Sequence, residues 1–292
     1  VTGRGEDVDE GLLAIAEAAL PGQRWHGARV LRHPSHDVLL LPGTAAVRVA
    51  RTPSAAAVLP RQAELLRRLA RLDLPFKIPG PLSEVVTVQG RTGVALSWVY
   101  GWPTPRPYGH ERGRLLSFRP ERFSELLGVL SEVDCGPLQD VLGVPHEGVG
   151  GHGWGELMLG EVIPRLPWTR RREARRRIGQ AQGLPVPEPR LVHGKLDADN
   201  LLWDGRRRLV GVLGWDRAQL FDPALDTAWL FGQQWDPRRA GADREQMRRI
   251  RIWVRTLGLE PLARAILDHE SEEHLAYEVG KTVAWLDQTT GW

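Results

Sequence analysis

The chain runs in two hydrophobic periods, and the change from one to the other predicts its organisation. Over residues 8–20, Leu12, Leu13, Ile15, Ala16 and Ala19 recur at helical spacing, and Pro21-Gly22 closes that helix. Residues 30–40 and 45–50 read as strands on either side of Pro42-Gly43. In the second of them Val47 and Val49 face one side and Arg48 the other, because side chains alternate along a strand. Pro53 breaks it. Residues 57–72 return to helical spacing, with Leu59, Ala63, Leu66, Leu69 and Ala70 as the apolar stripe. Residues 85–88 and 92–99 predict further strands about a Gln89-Gly90 turn, and Tyr100-Gly101-Trp102-Pro103 ends the sheet. From residue 120 onward the pattern is mainly helical. The exception is a strand–turn–strand over 201–213 around Asp204-Gly205. Residues 103–107 and 144–155 read as loops, and no internal repeat is visible.

Composition narrows the class. A chain of 292 residues can bury a sizeable core and form two lobes. A hydrophobic fraction of 42% and a charged fraction of 26% are ordinary for a globular protein. No run approaches the length of a membrane-spanning helix, so no membrane partner is expected. Val1-Thr2-Gly3-Arg4-Gly5-Glu6-Asp7 lacks the basic-then-apolar order of a signal peptide. The single cysteine, Cys135, excludes an internal disulfide and a cysteine-based metal cluster, and fits a reducing, cytoplasmic setting. It reads as a small buried hydrophobe. A net charge of +3 is too small to point to nucleic acid. Only three of the 39 basic side chains are lysines: Lys77, Lys195 and Lys281. The twelve tryptophans read as core and lobe packing.

The chemistry concentrates in residues 191–231. Leu191-Val192-His193-Gly194-Lys195-Leu196-Asp197-Ala198-Asp199-Asn200-Leu201-Leu202 is followed by Val212-Leu213-Gly214-Trp215-Asp216 and by Asp222-Pro223-Ala224-Leu225-Asp226. This set resembles the catalytic region of the aminoglycoside/macrolide phosphotransferases, a kinase-like family. That family usually writes His-Gly-Asp, four residues, then Asn, followed by Ile/Leu-Asp-Trp. Here Lys195 stands where the catalytic aspartate is expected, and Gly214 where the magnesium-holding aspartate is expected.

The resemblance implies an α+β, two-lobed protein-kinase-like fold. A small N-lobe, residues 1–100, would hold an antiparallel sheet plus a helix. A larger, mainly helical C-lobe, residues 101–292, would hold the altered catalytic loop. It implies a backbone-organising role for His193, loop bracing by Asp226, and a weak metal ligand in Asn200. Arg48 takes the place of the strand lysine that meets phosphate, and Gln62 that of its helix glutamate; Glu64 falls on the arginine-rich face of the same helix. The hinge is expected at residues 96–101, with Ser97 and Val99 in reach of a nucleotide through their backbone. No glycine occurs in Arg32-His33-Pro34-Ser35-His36-Asp37, where a glycine-rich loop would fall.

A general base contributes roughly 10²–10⁴-fold to proton transfer, and lysine cannot supply a carboxylate. Magnesium favours one or two carboxylates, so a neutral amide alone is a weakened site. The expectation is therefore a pseudokinase that binds a small-molecule ligand or a protein or peptide partner, with ATP or GTP open as ligands. The alternative is an active ATP-dependent small-molecule or peptide kinase in which Asp199 and Asp216 replace the lost acids. Engineered exchange at Lys195 and Gly214 is a third reading, and oligomeric state is left open.

Elsewhere the signals are weaker. The run Arg170 to Arg177 reads as a solvated helix face, or else as a docking surface for an acidic partner. Asp268-His269-Glu270-Ser271-Glu272-Glu273-His274 reads as a solvated helix start, or else as a cation-binding patch. The histidines show no metal-ligand spacing, and residues 146–152 read as a flexible glycine-rich loop.

Overall fold

A computed structural model describes residues 8–33, 35–104, 120–144, 146–185, 187–231 and 236–291. The N-terminal Val1–Asp7 and residues 105–107 of the expected loop lie outside them. The chain divides into two compact units. One is Val1–Thr104 with Asp199–Trp215, and the other Pro105–Ala198 with Asp216–Trp292.

The first unit opens with helix α1 (Glu10–Ala19), whose N-cap Asp9 accepts a hydrogen bond from the Leu12 N–H. Strands β1 (Arg29–Arg32), β2 (His36–Leu41) and β3 (Ala45–Ala50) follow, then helix α2 (Pro53–Leu69), β4 (Val86–Val88) and β5 (Arg91–Ser97). The strands form one antiparallel sheet in the order β1-β2-β3-β5-β4. Leu12, Ile15, Ala16 and Ala19 of α1 pack on Leu39, Val47, Val49 and Ala95, so this face of the sheet is apolar. Arg48 therefore stands on the opposite face, as strand alternation requires.

Three details depart from the sequence pattern. Residues 30–40 form two strands, because the His33 N–H turns back onto the His36 carbonyl and Arg32 comes opposite Asp37. Pro53 starts a helix as well as ending a strand: Thr52 caps the Ala55 N–H, and a first-turn proline has no N–H left unpaired. On α2, Leu65 is buried and Ala70 exposed, which shifts the inward stripe. After β5, β6 (Trp102–Pro103) belongs to a second sheet, ordered β6-β8-β9, with β8 (Leu201–Trp203) and β9 (Leu209–Val212).

The second unit is mainly helical. It comprises α3 (Pro120–Glu132), α4 (Trp154–Leu157) running through a wider turn at Met158–Val162 into α5 (Ile163–Arg165), and α6 (Trp168–Gln182). The two-stranded sheet of β7 (Arg190–Val192) and β10 (Gln219–Phe221) comes next in chain order, then α7 (Ala224–Phe231), α8 (Arg244–Leu257), α9 (Glu260–Leu267) and α10 (Glu272–Gln288). Its core joins Trp154, Met158, Ile163, Ile178, Leu225, Trp253 and Leu262.

The arginine run is only partly a solvated face. Arg177 is fully buried, donating to Glu173, to the Arg255 and Leu286 carbonyls and to the Thr289 hydroxyl. Nor do all tryptophans pack inside, since Trp102 and Trp168 are exposed. Cys135 is half-buried, and burial raises its thiol pKa. His146 and His152 meet side chain to side chain at 2.6 Å, and Gln219 donates to the Val149 carbonyl, so this glycine-rich segment is tied down. No helix of the described residues is long and apolar enough to cross a membrane.

Candidate active site

In the second unit the loop after β7 is held from α7. The Asp226 carboxylate, 2% exposed, accepts the backbone N–H of His193 at 2.6 Å and of Gly194 at 2.9 Å. The Trp229 indole N–H donates to the Gly194 carbonyl at 3.0 Å. Burial raises the Asp226 carboxyl to about 7, against the two amide donors, which favour its ionised form. Asp222 starts the helix by accepting the Ala224 N–H, and it is itself buried beneath Arg249 (2.6 Å) and Trp253 (2.7 Å).

Gly194 has a φ of +80°, and an added Cβ would stand 2.8 Å from Arg217 Cβ. Only glycine fits that backbone comfortably. His193 is buried and its Nδ1 accepts the Lys195 N–H at 3.3 Å, so it shapes the loop backbone. Lys195 is half-exposed, and its ammonium lies 3.6 Å from the Asp197 carboxylate. A lysine at this place offers no carboxylate to accept a proton from a hydroxyl. Asp216, in the short turn Trp215–Arg217, is partly buried in the same unit.

The first unit carries the other half of the motif. Asn200 ends a short turn, Ala198–Asn200, and its carbonyl accepts the Leu213 N–H at 2.9 Å. Gly214 follows with a φ of +76°. An added Cβ there would stand 2.8 Å from Asn200 Cγ and closer still to its oxygen. The Asn200 amide thus lies against the backbone of Gly214. Asp199 is exposed. Asn200, a neutral amide, faces Gly214, which has no side chain, and this donor set does not fit magnesium, a hard cation that favours carboxylate oxygens. Among the described residues, no group of three or more His, Cys, Asp or Glu side chains is arranged to hold a metal ion.

On the sheet, the Arg48 guanidinium reaches His36, with Nη2 3.3 Å from Nδ1. Gln62 is partly buried on α2. Glu64 binds Arg67 and Arg68 of its own helix, and their hydrogen bonds lower its pKa. Ser97 is engaged within the unit: its N–H donates to the Gly80 carbonyl at 2.8 Å, and its hydroxyl accepts the Gly80 N–H at 2.9 Å. Of the two positions expected at a hinge, Ser97 therefore has its amide already used, while Val99 lies against Gly211. The contact between His36 and Arg48 was missed from the sequence. Val38 is opposite Arg48 in register, and His36, two residues before Val38, shares its face. Reading 30–40 as two strands would have exposed that signal.

The comparisons with known proteins agree with this frame. The phosphotransferase enzyme family matches residues 20–259. A viomycin phosphotransferase of Streptomyces vinaceus is 33% identical over 225 residues, which cover 72% of this chain and 74% of that protein. The GDP complex of aminoglycoside 2'-phosphotransferase-IIIa superposes with a TM-score of 0.76 at 17% identity, covering 96% of this chain and 99% of the other. Macrolide 2'-phosphotransferase type I gives a TM-score of 0.66 at 18% identity, covering 94% and 98%. The architecture is thus the kinase-like fold of the antibiotic phosphotransferases. By its sequence the chain belongs to the phosphotransferase enzyme family.

Proposed function

We propose that this chain is a pseudokinase of its family, which binds a ligand without ordinary phosphoryl transfer. The observation that carries the reading is Gly214, whose left-handed backbone lies under the Asn200 amide where a metal-binding carboxylate is expected. Lys195, paired with Asp197, supports it by putting a cation in the place of the base. Phosphoryl transfer depends mainly on positioning and on neutralising phosphate charge through metal ions. A chain without both carboxylates retains the scaffold for binding and lacks the groups for turnover. The ligand class is a small molecule, viomycin being the one in the name of its relative, or a protein or peptide partner, in a cytoplasmic setting. ATP or GTP is the accompanying nucleotide.

One observation favours a second reading. The relative at 33% identity is named as a phosphotransferase, and Asp199 and Asp216 lie beside the exchanged positions. An active kinase would then use these relocated acids. The test is phosphate transfer from ATP or GTP to viomycin, with magnesium or manganese. The pseudokinase reading expects no transfer, and expects the double variant Lys195→Asp with Gly214→Asp to gain it. Metal-dependent turnover by the unaltered chain, abolished by Asp199→Ala or Asp216→Ala, would establish the second reading instead.

A further inference from the structure

Helix α6 carries a basic face that its own unit leaves open. Four of the six arginines between positions 170 and 177 are engaged. Arg170 pairs with Asp287 of α10, and Arg171 donates to the Leu166 and Pro164 carbonyls. Arg176 binds Glu173, and Arg177 is buried. Arg172 and Arg175 are exposed and pair with no carboxylate among the described residues. Trp168, the first residue of the helix, is 81% exposed. Arg172 and Arg175 stand four and seven residues after it, so the three side chains share one stripe of α6.

The opposite charge adjoins this stripe. Arg165, three residues before Trp168, reaches Glu272 in the first turn of α10 at 3.6 Å. Glu270 and Glu273 flank that carboxylate and pair with no basic group among the described residues. Asp268 and Glu278, the acids to either side, are taken up by Arg264 and Lys281. Leu267 and Tyr277, before and after the acidic stretch, are exposed. All these groups belong to the second unit.

We propose that this face is a two-fold interface with a second copy of the chain, in which Trp168, Arg172 and Arg175 of each copy meet Glu270 and Glu273 of the other. A basic face alone would suit any acidic partner. A basic face beside an acidic one, with Arg165 and Glu272 paired at their boundary, is complementary to itself under a half-turn, because a two-fold axis sets the first patch against the second and the second against the first. Exposed ion pairs add little affinity and mainly set orientation and salt dependence. The affinity comes from Trp168, whose open ring is covered by the exposed Leu267 or Tyr277 of the other copy; tryptophan and arginine are the usual anchors of such contacts. None of these groups belongs to the catalytic loop, so the interface is independent of whether the chain turns over phosphate.

The experiment is sedimentation equilibrium of the full chain at about 50 mM and about 500 mM salt, on either side of the 0.1 M at which the screening length is roughly 10 Å. The expected result is a dimer whose dissociation constant rises about tenfold or more at the higher salt. Trp168→Ala should weaken it at both salts and leave the salt dependence in place. Arg172→Glu with Arg175→Glu, and separately Glu270→Lys with Glu273→Lys, should each be monomeric at the lower salt with an unchanged circular dichroism spectrum. Mixed in equal amounts these two variants should pair again, since one is then acidic and the other basic over the whole face. A parent chain that stays monomeric at the lower salt would overturn the interface. So would charge-reversed variants that dimerise like the parent, a mixture that does not reassociate, or an open polymer in place of a dimer. A monomer that binds poly-glutamate through α6 would likewise overturn it, and would assign the face to an acidic peptide.

Discussion

Glu173→Gln tests whether the arginine run is a structural lock. The Glu173 Oε1 atom accepts from Arg177 Nε at 2.7 Å and from Arg255 Nη2 at 2.8 Å, and Arg176 adds two further bonds to the same carboxylate. Arg177 is 1% exposed and Arg255 8%. The amide keeps the shape and removes the charge, leaving two buried guanidiniums against each other. Removing one partner of a buried ion pair costs about 3–5 kcal/mol. Because Glu173 is itself a quarter exposed, solvent screening sets the expectation at the lower end, about 3 kcal/mol. For a chain of this size that is a fall in Tm of about 6–12 °C. The acid limb gives a second readout. Burial pushes this carboxyl upward, but the arginine hydrogen bonds outweigh it and hold the pKa at about 2, below its ordinary 4.5. A lowered folded pKa contributes stability that is present above about 4.5 and lost as pH falls through about 2. Urea unfolding followed by circular dichroism should therefore show wild-type stability declining across that window, and a flatter limb in the variant. A variant within about 0.5 kcal/mol of wild type, the range of an ordinary surface exchange, would refute the reasoning.

Gly194→Ala forces a side chain into a left-handed backbone against Arg217, and should destabilise by about 2–5 kcal/mol, the sum of the conformational and crowding costs, read as a lowered urea midpoint. In Asp226→Asn the pH dependence should change. The buried carboxyl is raised to about 7, so its contribution is present below the ordinary 3.8 and lost as pH rises through about 7, whereas the amide has no such decline; unfolding midpoints at about pH 4 and pH 8 decide it. The same exchange mispairs one of the two loop N–H groups, at a cost of about 1–3 kcal/mol. Gly214→Ala should cost about 1–2 kcal/mol through its positive φ and displace the Asn200 amide, visible as a shifted Asn200 side-chain amide resonance.

The fold was legible because its signals are periodic. The alternation of Val47, Arg48 and Val49 placed the arginine on the face away from α1, and Glu64 could be assigned to the arginine face by helical phase alone. Less legible were features set by pairing between distant segments. Arg177 has the same neighbours in sequence as the arginines around it. It is buried because the Leu286 carbonyl and the Thr289 hydroxyl, more than a hundred residues away, face it at the end of α10. Trp102 and Pro103 read as a terminator because proline cannot donate to a ladder, yet they pair with β8 at a sheet edge, where a missing donor is tolerated. The Ser97 amide is likewise occupied by Gly80, a partner that local pattern cannot reveal.

The loop after β7 is held mainly by groups other than the side chain at position 195. What holds the loop in the second unit is backbone: two N–H groups on Asp226, one carbonyl on Trp229, and a glycine that admits Arg217. None of these requires a carboxylate at position 195, whose side chain is half-exposed and leans on Asp197. In the first unit the left-handed backbone at 214 suits glycine, which adopts it without the steric cost of a Cβ. An acidic residue at 214 would put a side chain on that left-handed backbone, at some cost to local stability. Position 195 is accordingly a place where the fold tolerates exchange. Asp226, Asp222 and Gly194, each buried and joined to several partners or crowded by backbone, are the positions it resists most.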